Sequence, residues 1–502
     1  MARFMGTETE YGIATPSRPE LSPIVSSTHV VVAYAARRTY ARTHWDFQEE
    51  YPLRDSRGFD LRRYHTVPVI APDALGVANV VLRNGARFYV DHAHPEYSSP
   101  EVNCAREAAL YDAAGDIILN LAVEDVAFYT SQQVSVLEAH DPCPEIKIYK
   151  NNVDGKGAAY GFHENYQYSR DIDFDTLAQA LIPYFVCRQV VVGAGRVGIG
   201  ETGERDGFQI SQRADYFQQE ISLETTLNRG IINTRDEPHA DPNRFGRLHV
   251  INGDATMSHT STFLKLGMTA LVIDAIEAGV DFSDLALTDA VAEFQRISHD
   301  PTCTHQVQLK DGRKLTALEI LGAYRDRVRA TTDSEREVLE RWDEVTSLLG
   351  ADPLLTAGIL DWTAKYALVS SYVQRGVPWS SAKLKLIDLQ YSDIDPARSL
   401  YHALVKKGRM RTLFSHAEIE AAACTPPKNS RAYFRGRVLE KFGDHVTAAS
   451  WQNISLALGE HSIRIPIVEV DGWTEEHSAE LIDSAETVED FIHNLRRAEV
   501  ID

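Results

Sequence analysis

Met5-Gly6-Thr7-Glu8-Thr9-Glu10-Tyr11-Gly12 sets two glutamates two residues apart near the start of the chain. On an extended segment, side chains i and i+2 share a face, so Glu8 and Glu10 would stand side by side. Such a pair is either a solvated strand face or a carboxylate pair compensated by cations or hydrogen-bond donors. Mg²⁺ takes oxygen ligands and commonly links protein carboxylates to nucleotide phosphates, so the second alternative points toward a nucleotide site. A second stretch extends the sheet: Val80-Val81-Leu82-Arg83-Asn84-Gly85-Ala86-Arg87-Phe88-Tyr89-Val90-Asp91. Asn-Gly between two β-prone runs predicts a hairpin whose two turn residues both take positive φ. Its second strand would direct Arg87, Tyr89 and Asp91 to one face, and Phe88 and Val90 to the other.

Working outward, runs 145–149, 189–192 and 249–251 read as strands, and 105–121 and 264–278 as helices. This gives an α/β or α+β chain without an internal repeat. Residues 334–349 predict a surface helix with Ser334 and Glu337 as a capping box and Gly350 as its stop. Residues 36–75 alternate basic and acidic clusters, broken by Pro and Gly, which predicts a long loop that is either functional or disordered. Thr425-Pro426-Pro427-Lys428-Asn429-Ser430 reads as a domain boundary.

The chain has 502 residues, too many for one small core, so a large domain plus a smaller one is expected. Its formal net charge of −21 excludes general binding to DNA or RNA, although a local basic pocket remains compatible with it. The five cysteines form no CxxC pair, which excludes a zinc ribbon and a disulfide framework. No basic segment followed by an apolar run opens the chain, and the most apolar helical stretch, 262–279, carries Lys265, Asp274 and Glu277. No membrane span is expected, and the location predicted is cytoplasmic.

Several motifs carry chemistry. Asp91-His92-Ala93-His94-Pro95-Glu96 crowds acids and imidazoles at a strand end, where Asp91 is a candidate nucleophile or general base and Glu96 a candidate metal ligand. His92 and His94 lack a matched third ligand for zinc. Residues 151–157 lack the Lys-Ser/Thr step of a P-loop. Gly193–Gly198 matches GxGxxG but opens no helix, which removes the dinucleotide reading. His163-Glu164-Asn165 and Asn233-Thr234-Arg235-Asp236-Glu237-Pro238-His239 add imidazole and guanidinium groups, and Arg247 and His249 share one strand face.

In combination these motifs are specific. Gly6-Thr7-Glu8-x-Glu10-Tyr11-Gly12, Asn84-Gly85-Ala86-Arg87-x-Tyr89-x-Asp91, His94-Pro95-Glu96-Tyr97, Lys150-Asn151-Asn152-x-Asp154, Tyr160-Gly161-x-His163-Glu164-Asn165-Tyr166, residues 233–241 and Arg431-Ala432-Tyr433-Phe434-Arg435-Gly436 occur in this order. Together they resemble the Pup ligase and Pup deamidase/depupylase family, related to glutamine synthetase and to carboxylate–amine ligases, over essentially the whole chain. The insertion with Pro52-Leu53-Arg54-Asp55-x-Arg57-Gly58-Phe59-Asp60 and the short Asp91–His94 step resemble the deamidase/depupylase branch.

The resemblance implies an α+β fold: a large glutamine synthetase-like domain, 1–425, with a curved antiparallel sheet flanked by helices. It also implies a mobile insertion loop at 36–75 near the active site and a small C-terminal domain, 426–502. It implies ATP (or ADP and phosphate) and Mg²⁺ as cofactors. Glu8, His163 and His249 would hold one metal, and Glu10, Tyr89 and Glu96 the other, with His239 an alternative ligand. Arg87, Ser99, Asn152, Arg235, Arg247, Arg435 and Trp451 would bind nucleotide, and Asp91 would be catalytic. The reaction implied is hydrolysis of the side-chain amide at the C-terminal residue of Pup: deamidation of its glutamine and cleavage of the Pup–lysine isopeptide bond. Partners would be Pup and pupylated proteins, with Lys406, Lys407, Arg409 and Arg411 as candidate basic contributors to a Pup groove. Competing expectations are a Pup–protein ligase, a small-molecule carboxylate–amine ligase and a non-enzymatic Pup adaptor.

Overall fold

Alternation along Met5–Glu10 organises the large sheet: Thr7 and Thr9 face the helix layer, where both hydroxyls donate to Asp112, while Glu8 and Glu10 face the other way. The computed structural model describes residues 3–38, 43–58, 71, 73–155 and 157–501. Parts of the 36–75 segment (39–42, 59–70 and Pro72) and Lys156 lie outside the described residues.

Six antiparallel strands form the sheet, in the order Phe245–Val250, Phe162–Ser169, Met5–Glu10, His94–Ser98, Arg87–Asp91 and Asn79–Val81. The register sets the site out in rows. Glu8 lies opposite His163 on one side and Ser98 on the other, and Ser98 lies opposite Arg87. Glu10 lies opposite Glu96, which lies opposite Tyr89. Residues opposite one another share a face, so these rows project from one surface.

The other surface is packed by helices Pro23–Arg38, Ala105–Ser131 and His259–Glu277, with Phe88, Tyr97, Tyr166 and Leu248 in the core. A fully buried Arg188 makes a forked pair with Glu164 there, 2.7 Å to each oxygen.

A second hydrophobic cluster forms around helices Ala432–Phe442, Glu475–Asp483 and Val488–Arg497 and the strands Val446–Ala449, Asn453–Leu458 and His461–Pro466. The short strand His44–Trp45 pairs in parallel with residues 448–449 at the edge of that sheet. An early piece of the chain is thereby part of the C-terminal unit.

Four sequence expectations are corrected. The hairpin turn places only Gly85 at positive φ, +81°; Gly85 N–H donates to Leu82 and Leu82 N–H to Ala86, so Arg83 and Asn84 form the turn and the glycine makes the bulge after it. A Cβ at Gly85 would lie 2.7 Å from the Ala432 carbonyl, so the glycine also admits the C-terminal helix. Residues 189–192, read as a strand, are the last turn of helix Phe174–Val192, whose second half is buried all round and therefore shows no amphipathic period. The helix expected at 334–349 runs Asp333–Ala351 and is capped by Thr332 and Glu335 instead of Ser334 and Glu337. The run 145–149 is a strand only over Lys147–Tyr149.

Candidate active site

Side chains on the open face of the sheet line a cavity of about 480 Å³. Its floor carries Glu8, Glu10, Arg87, Tyr89, Asp91, Glu96, His163, Arg247 and His249, and its walls include Arg235 and Trp451. A side chamber of about 90 Å³ shares Glu8, Arg247, His239 and Trp451 with it and adds Ser99, Glu101 and Tyr166.

Two groups of potential ligands stand on the floor, each with its ligand atoms within 4.8 Å of one another: Glu8, His163 and His249, and Glu10, Asp91 and Glu96. The first matches the expected set. In the second, the third oxygen comes from Asp91, while the Tyr89 hydroxyl sits 3.3 Å from Ser98 Oγ. Burial, reinforced by the charges of Glu96 and Glu8, raises Tyr89 well above its ordinary value, so the ring stays a neutral phenol and a hydrogen-bond donor.

The first group is tightly braced. His163 Nδ1 lies 3.1 Å from Glu8, Asn165 donates to Glu8 at 3.0 Å, and Arg247 donates to Asn165 at 2.7 Å. Burial alone would push the Glu8 carboxyl up, but the His163 hydrogen bond and the Arg247 guanidinium hold it well below the usual range. Burial, with Arg247 adding to it, lowers His249 and His239 far enough to keep both imidazoles neutral, the form that ligates metal.

In the second group, Glu10 accepts from Gly161 N–H at 2.8 Å, and a Cβ on Gly161 would fall 2.5 Å from that same carboxylate. Burial, then the neighbouring charges of Asp91, Glu10 and Glu8, raises Glu96 well above its usual range. Three crowded carboxylates call for a cation. The buried atoms of cavity-lining residues without a hydrogen-bond partner among the described residues include one in each group, Glu96 Oε2 and His249 Nε2, and the donor set fits divalent cations at both groups.

Asp91 differs from its neighbours in access. Its side chain is 39% exposed, against 11% for Glu10. Burial acts to raise its pKa, but the hydrogen bond and charge of His92, 3.0 Å away, bring it below the ordinary value, while His92 is raised to about 9. Asp91 is therefore an accessible, ionised carboxylate within the cavity.

Of the residues expected to meet nucleotide, Arg87, Arg235, Arg247, Ser99 and Trp451 line the cavity or its side chamber. Asn152 and Arg435 line neither. The Asn152 side chain ties a loop, donating to Tyr160 O and accepting from Ala255 N–H. Arg435 donates to Gly85 O at 2.7 Å and pairs with Glu101, and so holds the C-terminal unit to the hairpin.

Two cavity residues escaped the sequence reading: the buried arginines Arg213 and Arg229, near Thr225 and Thr226. They belong to no spaced motif, and only the folded chain brings them to Glu10, whose charge acts on both.

The family model described as Pup-ligase protein matches residues 3–455. The Pup deamidase/depupylase of Mycolicibacterium smegmatis is 48% identical over 99% of this chain and 100% of its own. The Pup–protein ligase of Xylanimonas cellulosilytica is 37% identical over 76% of this chain and 89% of its own. Among solved structures, the Pup ligase PafA in complex with Pup superposes with a TM-score of 0.78 at 27% identity, covering 99% of this chain and 95% of that one. PafA in complex with ADP gives 0.72 at 29% identity, covering 85% and 96%. The fold is thus the glutamine synthetase-like α+β fold of those ligases, and the chain belongs to the Pup-ligase protein family.

Proposed function

We propose that this cavity hydrolyses the side-chain amide at the C-terminal residue of Pup, converting its glutamine to glutamate and cleaving the isopeptide bond between Pup and a substrate lysine. The observation that carries the reading is an accessible, ionised Asp91 beside a floor of buried carboxylates. Similarity supports the hydrolytic branch, because the deamidase/depupylase relative is 48% identical along the full chain and the ligase relative 37% along three quarters of it.

Glu8, His163 and His249 would hold one Mg²⁺, and Glu10, Glu96 and Tyr89 the other, with His163 and Tyr89 reaching the ions through water. Arg87, Arg235 and Arg247 offer forked donors to the phosphates of ATP or ADP, and Trp451 borders the side chamber suited to a base. When bound, Mg²⁺ supplies positive charge that stabilises developing negative charge on oxygen.

Asp91 then acts in one of two ways. As nucleophile, its carboxylate bonds to the amide carbonyl carbon, the C–N bond breaks as the nitrogen takes a proton from water and departs as ammonia or the lysine amine, and the hydroxide left behind cleaves the resulting anhydride into two carboxyl groups. As general base, it takes a proton from water whose oxygen bonds to the same carbon, and returns that proton to the nitrogen as the C–N bond breaks and ammonia or the lysine amine departs. Rapid quench and mass spectrometry separate the two: a Pup adduct on Asp91 supports the nucleophile, and its absence throughout turnover supports the base.

Residues 1–425 would carry this chemistry, residues 426–502 would close its nucleotide end, and the working location would be the cytoplasm. No described helix is long and apolar enough to cross a membrane.

The acidic tail of Pup would meet Lys406, Lys407 and Arg409, which are exposed, whereas Arg411 is already paired with Glu344 at 2.8 Å. Charge reversal at Lys406 and Lys407 is expected to weaken Pup binding about tenfold in fluorescence anisotropy at low salt. Unchanged affinity would move the groove elsewhere. The function itself is tested by incubating the protein with glutamine-ended Pup and MgATP. Ammonia release is expected; ATP-driven conjugation of glutamate-ended Pup to an acceptor, without ammonia release, would return the ligase reading.

A further inference from the structure

Arg87 emerges from the large sheet into the cavity, yet half of the partners that hold it come from elsewhere. Its guanidinium lies 4.1 Å from the centre of the Trp45 ring and 4.0 Å from that of Tyr89. Its Nη1 is 3.6 Å from Glu50, and its Nε donates to Asn79 at 3.3 Å. Trp45 is itself fixed on three sides. Its strand pairs with residues 448–449, its ring meets Trp451 edge-on at 5.2 Å, and its indole N–H donates to Glu50 at 2.6 Å. It is 5% exposed and belongs to the hydrophobic cluster of the C-terminal unit.

We propose that Trp45 is the positioning residue for Arg87: the C-terminal unit presents the indole face that holds this guanidinium at the nucleotide end of the cavity. The inference rests on the reading of Arg87 as a nucleotide-binding residue. A guanidinium has several rotamers within reach, and a desolvated aromatic face selects one of them by cation–π attraction and stacking. Glu50 joins the two partners, since it accepts from Trp45 and pairs with Arg87. The arrangement also gives the C-terminal unit a role in the site through a residue far upstream of it in the chain, Trp45, which pairs with Ala449.

The test is a double-mutant cycle read by isothermal titration calorimetry of the full chain with ADP and MgCl₂. Arg87→Ala is expected to weaken ADP about tenfold, Trp45→Ala nearly as much, and the double variant no more than Arg87→Ala alone. Trp45→Phe keeps a π face and should lose only about two- to threefold. It supplies the same cycle where Trp45→Ala does not fold, as judged by thermal unfolding. Additive losses, or wild-type affinity in Trp45→Ala, would overturn the proposal while leaving the nucleotide site intact. Wild-type affinity in Arg87→Ala would overturn the nucleotide reading of Arg87 and the proposal with it.

Discussion

Asp91→Asn is expected to lower kcat for ammonia release from glutamine-ended Pup by at least about 10³-fold, with the protein still folded. The asparagine preserves shape but removes both the nucleophilic oxygen and the basic site. Because the side chain is 39% exposed and is paired with the exposed His92, the unfolding temperature should move little. ADP affinity should also be nearly unchanged, since Arg87, Arg247 and the side chamber stay in place. Steady-state kinetics with calorimetric ADP binding on the same preparation checks both halves. Activity within tenfold of wild type would move the chemistry away from Asp91.

The second large effect concerns the joint between the sheet and the C-terminal unit. Glu101 pairs with Arg431 at 2.7 Å and with Arg435, and both arginines are almost wholly buried. Glu101→Ala would leave two buried guanidinium groups without a counter-charge, at a cost of about 3–5 kcal/mol at pH 7. Burial works to raise the Glu101 carboxyl, but Arg435 and Arg431 bring it down to about 2. A carboxyl depressed in the folded state stabilises the fold above its unfolded value, near 4.3, and that contribution is lost as pH falls toward 2. Chemical denaturation should therefore show the full gap between wild type and variant above about pH 5, narrowing steadily below about pH 4. A gap that did not change with pH would mean that Glu101 contributes packing alone.

The faces of the sheet were legible because a strand has period two. Glu8 with Glu10, Arg87 with Tyr89 and Asp91, and Arg247 with His249 project as alternation demands. Periodicity fails where an element is buried on every side, so Val190, Val191 and Val192 read as a strand while ending a helix. Cap choice failed by two residues because Thr332–Glu335 and Ser334–Glu337 both satisfy the capping pattern, and the structure uses the first.

Within the site, spacing along the chain cannot report which carboxylate completes a cluster. Tyr89 and Asp91 share a face, yet Asp91 supplies the oxygen that meets Glu10 and Glu96. Asn152 and Arg435 stand in motifs that carry the family resemblance, and in the structure they brace the cavity from outside its walls. Arg213, Arg229 and Trp45 lacked a local pattern altogether. Their relation to the floor is created by long-range packing, through a loop for Arg213, through the start of strand Arg229–Asn233 for Arg229, and for Trp45 through a strand that joins a distant sheet.

Cleavage of an isopeptide bond is the reaction proposed for this cavity. A defined protein carrying Pup on a single lysine, incubated with the enzyme, MgATP and no other protein, should yield glutamate-ended Pup and the unmodified lysine by intact mass. Asp91→Asn should leave the conjugate whole. A conjugate that survives the wild-type enzyme, or is cut equally by Asp91→Asn, would contradict the account.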